Sequence, residues 1–103
     1  MLLTITLDFP MYVKSPDKEF TEIICKILDI NTDHLIFIHK SYDNNDQLHQ
    51  IYLYMTNKII TLDIKDKEKL YKVYYYIKKA IRQNRDYITV EGNEIEIGNY
   101  SPK

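Results

Sequence analysis

The sequence predicts an α+β fold in which two helices lie on one face of an antiparallel sheet, in the order β-α-β-β-β-α-β-β. Three observations predict it. Apolar residues alternate with polar ones near the N-terminus, across the middle of the chain and near the C-terminus, the pattern of half-buried strands. Residues 16–28 and 66–84 instead place apolar side chains at helical spacing. Turn residues at 44–45, 56–57 and 92–93 join strands whose registers put their apolar residues on one shared face.

Leu3, Ile5, Leu7 and Phe9 alternate with Thr4, Thr6 and Asp8, which gives the first strand. Pro10 is its expected end, because proline cannot donate to a ladder. Ser15 suits a helix cap, Pro16 the first helical position, and Asp17 and Glu19 the positive end of the helix dipole. Phe20, Ile23, Ile24, Ile27 and Leu28 then follow at helical spacing, predicting a first helix over 16–28 with Asn31 as its stop.

Three strands come next. A turn at Asn44-Asn45 pairs Ile38 with Ile51, Ile36 with Leu53 and His34 with Met55. A second turn, at Thr56-Asn57, pairs Leu53 with Ile60 and Ile51 with Leu62. The inner face is then Ile36, Ile38, Ile51, Leu53, Met55, Ile60 and Leu62. Asp43 opposite Asp46 is an unfavourable pair of like charges, so the first loop is expected to be wider than two residues. Asp66 opens a second helix reaching about Asn84, with Leu70, Val73, Ile77, Ala80 and Ile81 as its buried stripe. A hairpin turning at Gly92-Asn93 closes the chain, pairing Val90 with Ile95 and Ile88 with Ile97. In element order alone, the inner α-β-β-β-α segment resembles double-stranded-RNA-binding domains. With the last hairpin it resembles type III secretion chaperones. The basic, glycine-containing segment of the former and the third helix of the latter are missing.

At 103 residues the expectation is a single domain, 1–103. Two Gly and three Pro leave little material for a glycine-rich phosphate loop, and one Cys cannot form an intramolecular disulfide. The lone Cys favours a cytoplasmic setting, and no apolar run has the length of a membrane span. The net charge of -1 hides opposed blocks: residues 65–85 carry eight Lys or Arg against Asp66 and Glu68.

His34, His39, His49 and Cys25 lack metal-site spacing, so neither a metal nor another cofactor is expected. Glu91, Glu94 and Glu96 read as a solvated hairpin face. His39 and His49 have no visible nucleophile or orienting partner, which leaves a small hydrolase or nuclease as the weakest reading. Two surfaces point to a binding role. Leu35, Phe37, Tyr52, Tyr54 and Ile59 make the outer sheet face too apolar for a solvated one. The second helix sets Tyr71, Tyr75 and Tyr76 among Lys72, Lys78, Lys79 and Arg82. Such a surface suits a protein interface or single-stranded nucleic acid.

The expected function is therefore a non-enzymatic protein-binding module using Phe37, Tyr52, Tyr54, Tyr71, Tyr75, Lys78 and Arg82. A homodimer through sheet faces or edges is one way to cover the apolar surface. The small size and the abundance of Ile, Lys, Asn and Tyr suggest a phage, viral or mobile-element accessory protein that inhibits a host factor. The rival reading is an RNA- or single-stranded-DNA-binding module built on the second helix.

Overall fold

The computed structural model describes residues 1–15, 22–42 and 49–100. Among these residues, seven strands form one curled, mixed sheet, and a single α-helix packs on its inner face. The chain runs β1 (Leu2–Lys14), β2 (Glu22–Asn31), a 3₁₀ turn (Thr32–His34), β3 (Leu35–Tyr42), β4 (His49–Met55) and β5 (Ile59–Asp63). The helix α1 (Lys67–Arg82) and the hairpin β6 (Tyr87–Glu91) and β7 (Glu94–Gly98) complete it. The predicted pair of helices on an antiparallel sheet is thus corrected to a predominantly β fold with one helix, in which β1 and β6 run parallel. Among the described residues, no helix is long and apolar enough to cross a membrane.

The largest correction is β2. Residues 22–28, expected in the first helix, form an antiparallel strand against β1, while 16–21 lie outside the described residues. The register explains the misleading spacing. Thr6 pairs with Ile27, yet Met11 pairs with Cys25, so β1 spends three more residues than β2 between these pairs. An odd slip moves side chains to the opposite face. Leu28 and Ile30 therefore point inward on one side of the irregularity, and Cys25 does so on the other. Ile24 and Ile27 face outward, so apolar residues on both faces of a strand whose parity flips add up to a spacing that imitates a helix. The β-branched Ile23, Ile24 and Ile27 favour the pleated alternative. Without a first helix, both resemblances of element order disappear.

β1 also runs through Pro10, the predicted end of the strand. Pro10 sits between Leu7, the last residue paired with β6, and Met11, where pairing with β2 and β5 begins, so its missing N–H costs no ladder bond. Met11 and Val13 continue the buried side of Leu3, Ile5 and Leu7. β2 occupies one edge of β1 on both sides of this stretch, so the other edge is shared. β6 pairs with Thr4–Leu7 and β5 with Met11–Lys14.

The remaining registers follow the sequence more closely. The pairs Leu53–Ile60, Ile51–Leu62, Val90–Ile95 and Ile88–Ile97 are all as predicted. Between β3 and β4, however, Ile38 meets Leu53 rather than Ile51. That slip is even, so the faces survive it. An irregularity at Ile36 then shifts the register by one residue, leaving Ile36 exposed and turning Leu35 inward opposite Met55. The predicted Asn44-Asn45 turn and the Asp43–Asp46 pair lie outside the described residues.

Asp66 caps α1 by accepting from the Glu68 N–H, and Leu70, Val73, Ile77 and Ala80 are buried as the periodicity requires. Gly92 has a φ of 59° at the first central position of the β6–β7 turn, the conformation for which glycine is favoured. This turn is tied down from two directions. The Gly92 N–H donates to Asp8 Oδ2 at 2.5 Å, and Lys72 Nζ donates to the Asn93 carbonyl at 3.1 Å. Lys69 stands 3.5 Å from Asp8 on its other side. The Gly92 hydrogen bond, together with Lys69, holds the Asp8 carboxyl below its ordinary range. Stability from this contact is present above the unfolded-state pKa of about 3.9 and is lost as pH falls through the lower folded-state value. Asp8→Ala should cost about 1 kcal/mol in urea unfolding at neutral pH, and the difference from wild type should shrink on acidification.

Candidate docking face on the outer sheet

α1 packs on the inner face of the sheet, so the face opposite it decides what the strands present to solvent. Ladder pairing builds two rows of side chains there. One runs Ile24, Tyr12, Thr61, Tyr52 and His39 across β2, β1, β5, β4 and β3. The next runs Glu22, Lys14, Ile59, Tyr54 and Phe37 across the same five strands. No element among the described residues packs over these rows.

The aromatic residues are arranged against one another. Phe37 stacks on Tyr54 with ring centroids 4.3 Å apart and planes at 20°, and Phe37 is still 51% exposed. Tyr52 lies 6.0 Å from Tyr54 and 6.2 Å from His39. The Tyr52 hydroxyl donates to Gln50, whose amide donates to Asp63 at 2.8 Å. Burial raises the Tyr52 hydroxyl above its ordinary range, with Tyr54 and Asp63 adding to the effect. It stays neutral near pH 7 and can serve an incoming partner as donor or acceptor.

Beside these rings, Tyr12, Lys14, Gln50, Tyr52 and Thr61 help line a shallow concavity of about 340 Å³. The Lys14–Glu22 ion pair, at 3.5 Å, lies on its border. A shallow aromatic centre with charged groups around it has the anatomy of a protein interface. The other half of the outer face differs. Thr4, Thr6, Tyr87, Thr89 and Glu96 dominate it, with Thr4 bonded to Asp29 at 2.6 Å and Tyr87 to Glu96 at 3.0 Å.

The sequence-predicted residues therefore divide into two groups. Phe37, Tyr52 and Tyr54 come together on the outer face, with Ile59 beside them. Leu35, expected there, faces inward. Tyr71, Tyr75, Lys78 and Arg82 lie exposed on α1, across the sheet from the first group. Their rings are already engaged by cations. Tyr74 has Lys40 Nζ 4.3 Å and Lys78 Nζ 5.2 Å from its centroid, and Lys79 stands over Tyr75 and Tyr76 at 6.0 and 5.6 Å. Tyr42 packs edge-on to Tyr71 at 6.1 Å beneath Lys67. Contact with Tyr71 and the charge of Lys67 lower the Tyr42 hydroxyl, while contact with Tyr42 raises the Tyr71 hydroxyl.

His39 and His49 do not converge. His39 stacks on Tyr52 on the outer face, while His49 pairs with Tyr42 on the side of the buried Ile51 and Leu53. His34 lies in the 3₁₀ turn. Among the described residues, no group of three His, Cys, Asp or Glu side chains is placed to hold a metal ion.

Sequence reasoning missed Tyr12, Thr61 and Ile24 as members of the outer face. The signal was available for Tyr12, since Met11 and Val13 continue the alternation beyond Pro10. The chain matches no protein-family model, no curated protein and no solved structure.

Proposed function

We propose that the chain is a non-enzymatic protein-binding module whose docking surface is the aromatic half of the outer sheet face. The supporting observation is the five-strand row system carrying Phe37, Tyr54, Tyr52, Ile59 and Tyr12 on the side of the sheet opposite α1. Aromatic side chains of this kind bury large area at low cost in conformational entropy and are enriched in binding hot spots. A module of this kind acts by covering its partner, and the role attached to it here is inhibition of a host factor by a phage, viral or mobile-element accessory protein. The nucleic-acid alternative is less well supported. Base stacking needs open ring faces, and on α1 the ammonium groups of Lys40, Lys78 and Lys79 already stand over the tyrosines.

Phe37→Asp tests the proposal. The side chain is half exposed, so the variant should keep the far-UV circular dichroism of the wild type and lose about 1 kcal/mol of stability with the Tyr54 stack. Capture from nuclease-treated lysate should retain specific proteins on the wild type and lose them on the variant. Equal capture by both overturns the assignment, as does unfolding of Phe37→Asp, which would make the face internal core. Binding that returns only when nuclease is omitted would favour the nucleic-acid reading.

A further inference from the structure

We propose that β2 is a self-association edge, pairing antiparallel with β2 of a second copy about a two-fold axis through Ile24. β2 is hydrogen-bonded to β1 along one side, and no strand among the described residues pairs with its other side. It is ten residues long, contains no proline, and leaves Ile23, Ile24 and Ile27 exposed by 57, 62 and 64%. A long apolar edge of this kind is a template for a further strand. The other edges are less suited. β7 is five residues long with exposed Glu94 and Glu96, and β3 is broken by the irregularity at Ile36.

Charge selects both the partner and the register. A lone lysine in an edge strand normally deters pairing, and Lys26 would do so unless an acidic residue met it. A two-fold axis perpendicular to the sheet keeps every side chain on its own face, so residues of the same face must oppose one another. Centred on Ile24, the pairing sets Ile24 against its own copy, Ile23 against Cys25 twice, and Glu22 against Lys26 twice. Centred on Cys25, it would leave Lys26 facing Ile24 and Glu22 facing Leu28. Centred on Lys26, it would oppose two lysines. The Ile24 register is the one of the three that matches charge with charge and apolar with apolar. It also extends the row from Ile24 to His39 into the equivalent row of the second copy, giving one face ten strands wide. The inference does not rest on the proposed docking function.

Sedimentation equilibrium on the full chain, from low micromolar to several hundred micromolar, should show a reversible monomer–dimer equilibrium. Lys26→Glu should weaken it at least tenfold, and the double variant Glu22→Lys, Lys26→Glu should restore it because both cross-pairs are exchanged. The Glu22–Lys14 pair lost in that variant is exposed and contributes little. Cross-linking gives an independent reading of register. Directly opposed residues of an antiparallel pair lie within disulfide reach. Ile24→Cys in a Cys25→Ser background should therefore form a covalent dimer under mild oxidation, and Ile27→Cys in the same background should not. A chain that stays monomeric throughout overturns the proposal. So does a dimer that ignores the charge exchange and cross-links at Ile27 rather than Ile24, provided the variants keep the wild-type circular dichroism.

Discussion

Ile30→Ala destabilises the protein by about 2–4 kcal/mol, while Ile27→Ala, three residues earlier on the same strand, changes stability by less than about 0.5 kcal/mol. Ile30 is fully buried opposite Leu3, and removing its side chain leaves a cavity among residues that relax only partly. Ile27 is 64% exposed and has little burial to lose. A helix over 16–28 would reverse this order, placing Ile27 in its buried stripe and Ile30 beyond its end. Urea unfolding of the two variants, compared at equal m-value, decides between them. A large loss at Ile27 with little at Ile30 would refute β2 as a strand.

The same residues show why this segment could not be read from its pattern. Ile23, Ile24, Ile27 and Leu28 fall at i, i+1, i+4 and i+5, the spacing of a helical stripe. Here those four residues are divided between the two faces, Ile23 and Leu28 inward and Ile24 and Ile27 outward, so the spacing comes from a strand that carries apolar residues on both sides and changes parity across the β1 irregularity. The irregularity belongs to the pairing of two strands, so no window on one strand can reveal it. Local chemistry argued for the strand, since three of those four residues are β-branched. The capping signals at Ser15 and Pro16, ahead of β2 in the sequence, argued for the helix.

Where one element sets its own pattern, the sequence was sufficient. α1 combines the Asp66 cap with an uninterrupted inward stripe, and both adjacent-strand hairpins, β4–β5 and β6–β7, have two-residue turns that fix their registers. The longer β3–β4 connection fixes less, and the pairing there slipped by two. The candidate site follows the same division. Tyr52 and Tyr54 were legible because β4 alternates cleanly, and Phe37 because the slip between β3 and β4 beyond Ile36 is even and keeps its face. Tyr12 and Ile24 were not, because their place on the face depends on β1 continuing past Pro10 and on β2 being a strand at all. The residues on α1 were correctly expected to be exposed. Only the fold shows that they look away from Phe37.

Moving a proline within β1 should have the largest effect on the whole architecture. β1 is flanked on both sides over Thr4–Thr6, by β2 and by β6, and Thr6 itself pairs with Ile27 and Thr89. The Thr4 N–H donates to the Asp86 carbonyl at 2.9 Å, so by alternation the Thr6 N–H also points toward β6. Thr6→Pro removes that donor, strands a buried acceptor and inserts a ring between two closely spaced strands. The expected loss is about 3 kcal/mol or more, a large part of the 5–15 kcal/mol that typically holds a domain together. Pro10→Ala, in the unpaired stretch four residues on, should change stability by less than about 1 kcal/mol. The chain has no Trp, so far-UV circular dichroism during thermal and urea unfolding is the suitable readout. Equal tolerance at both positions would mean that β1 is not the shared central strand. A steep loss at Thr6 alone would show why Pro10 stands at the point where β1 leaves β2, and between the stretches of β1 that pair with β6 and with β5.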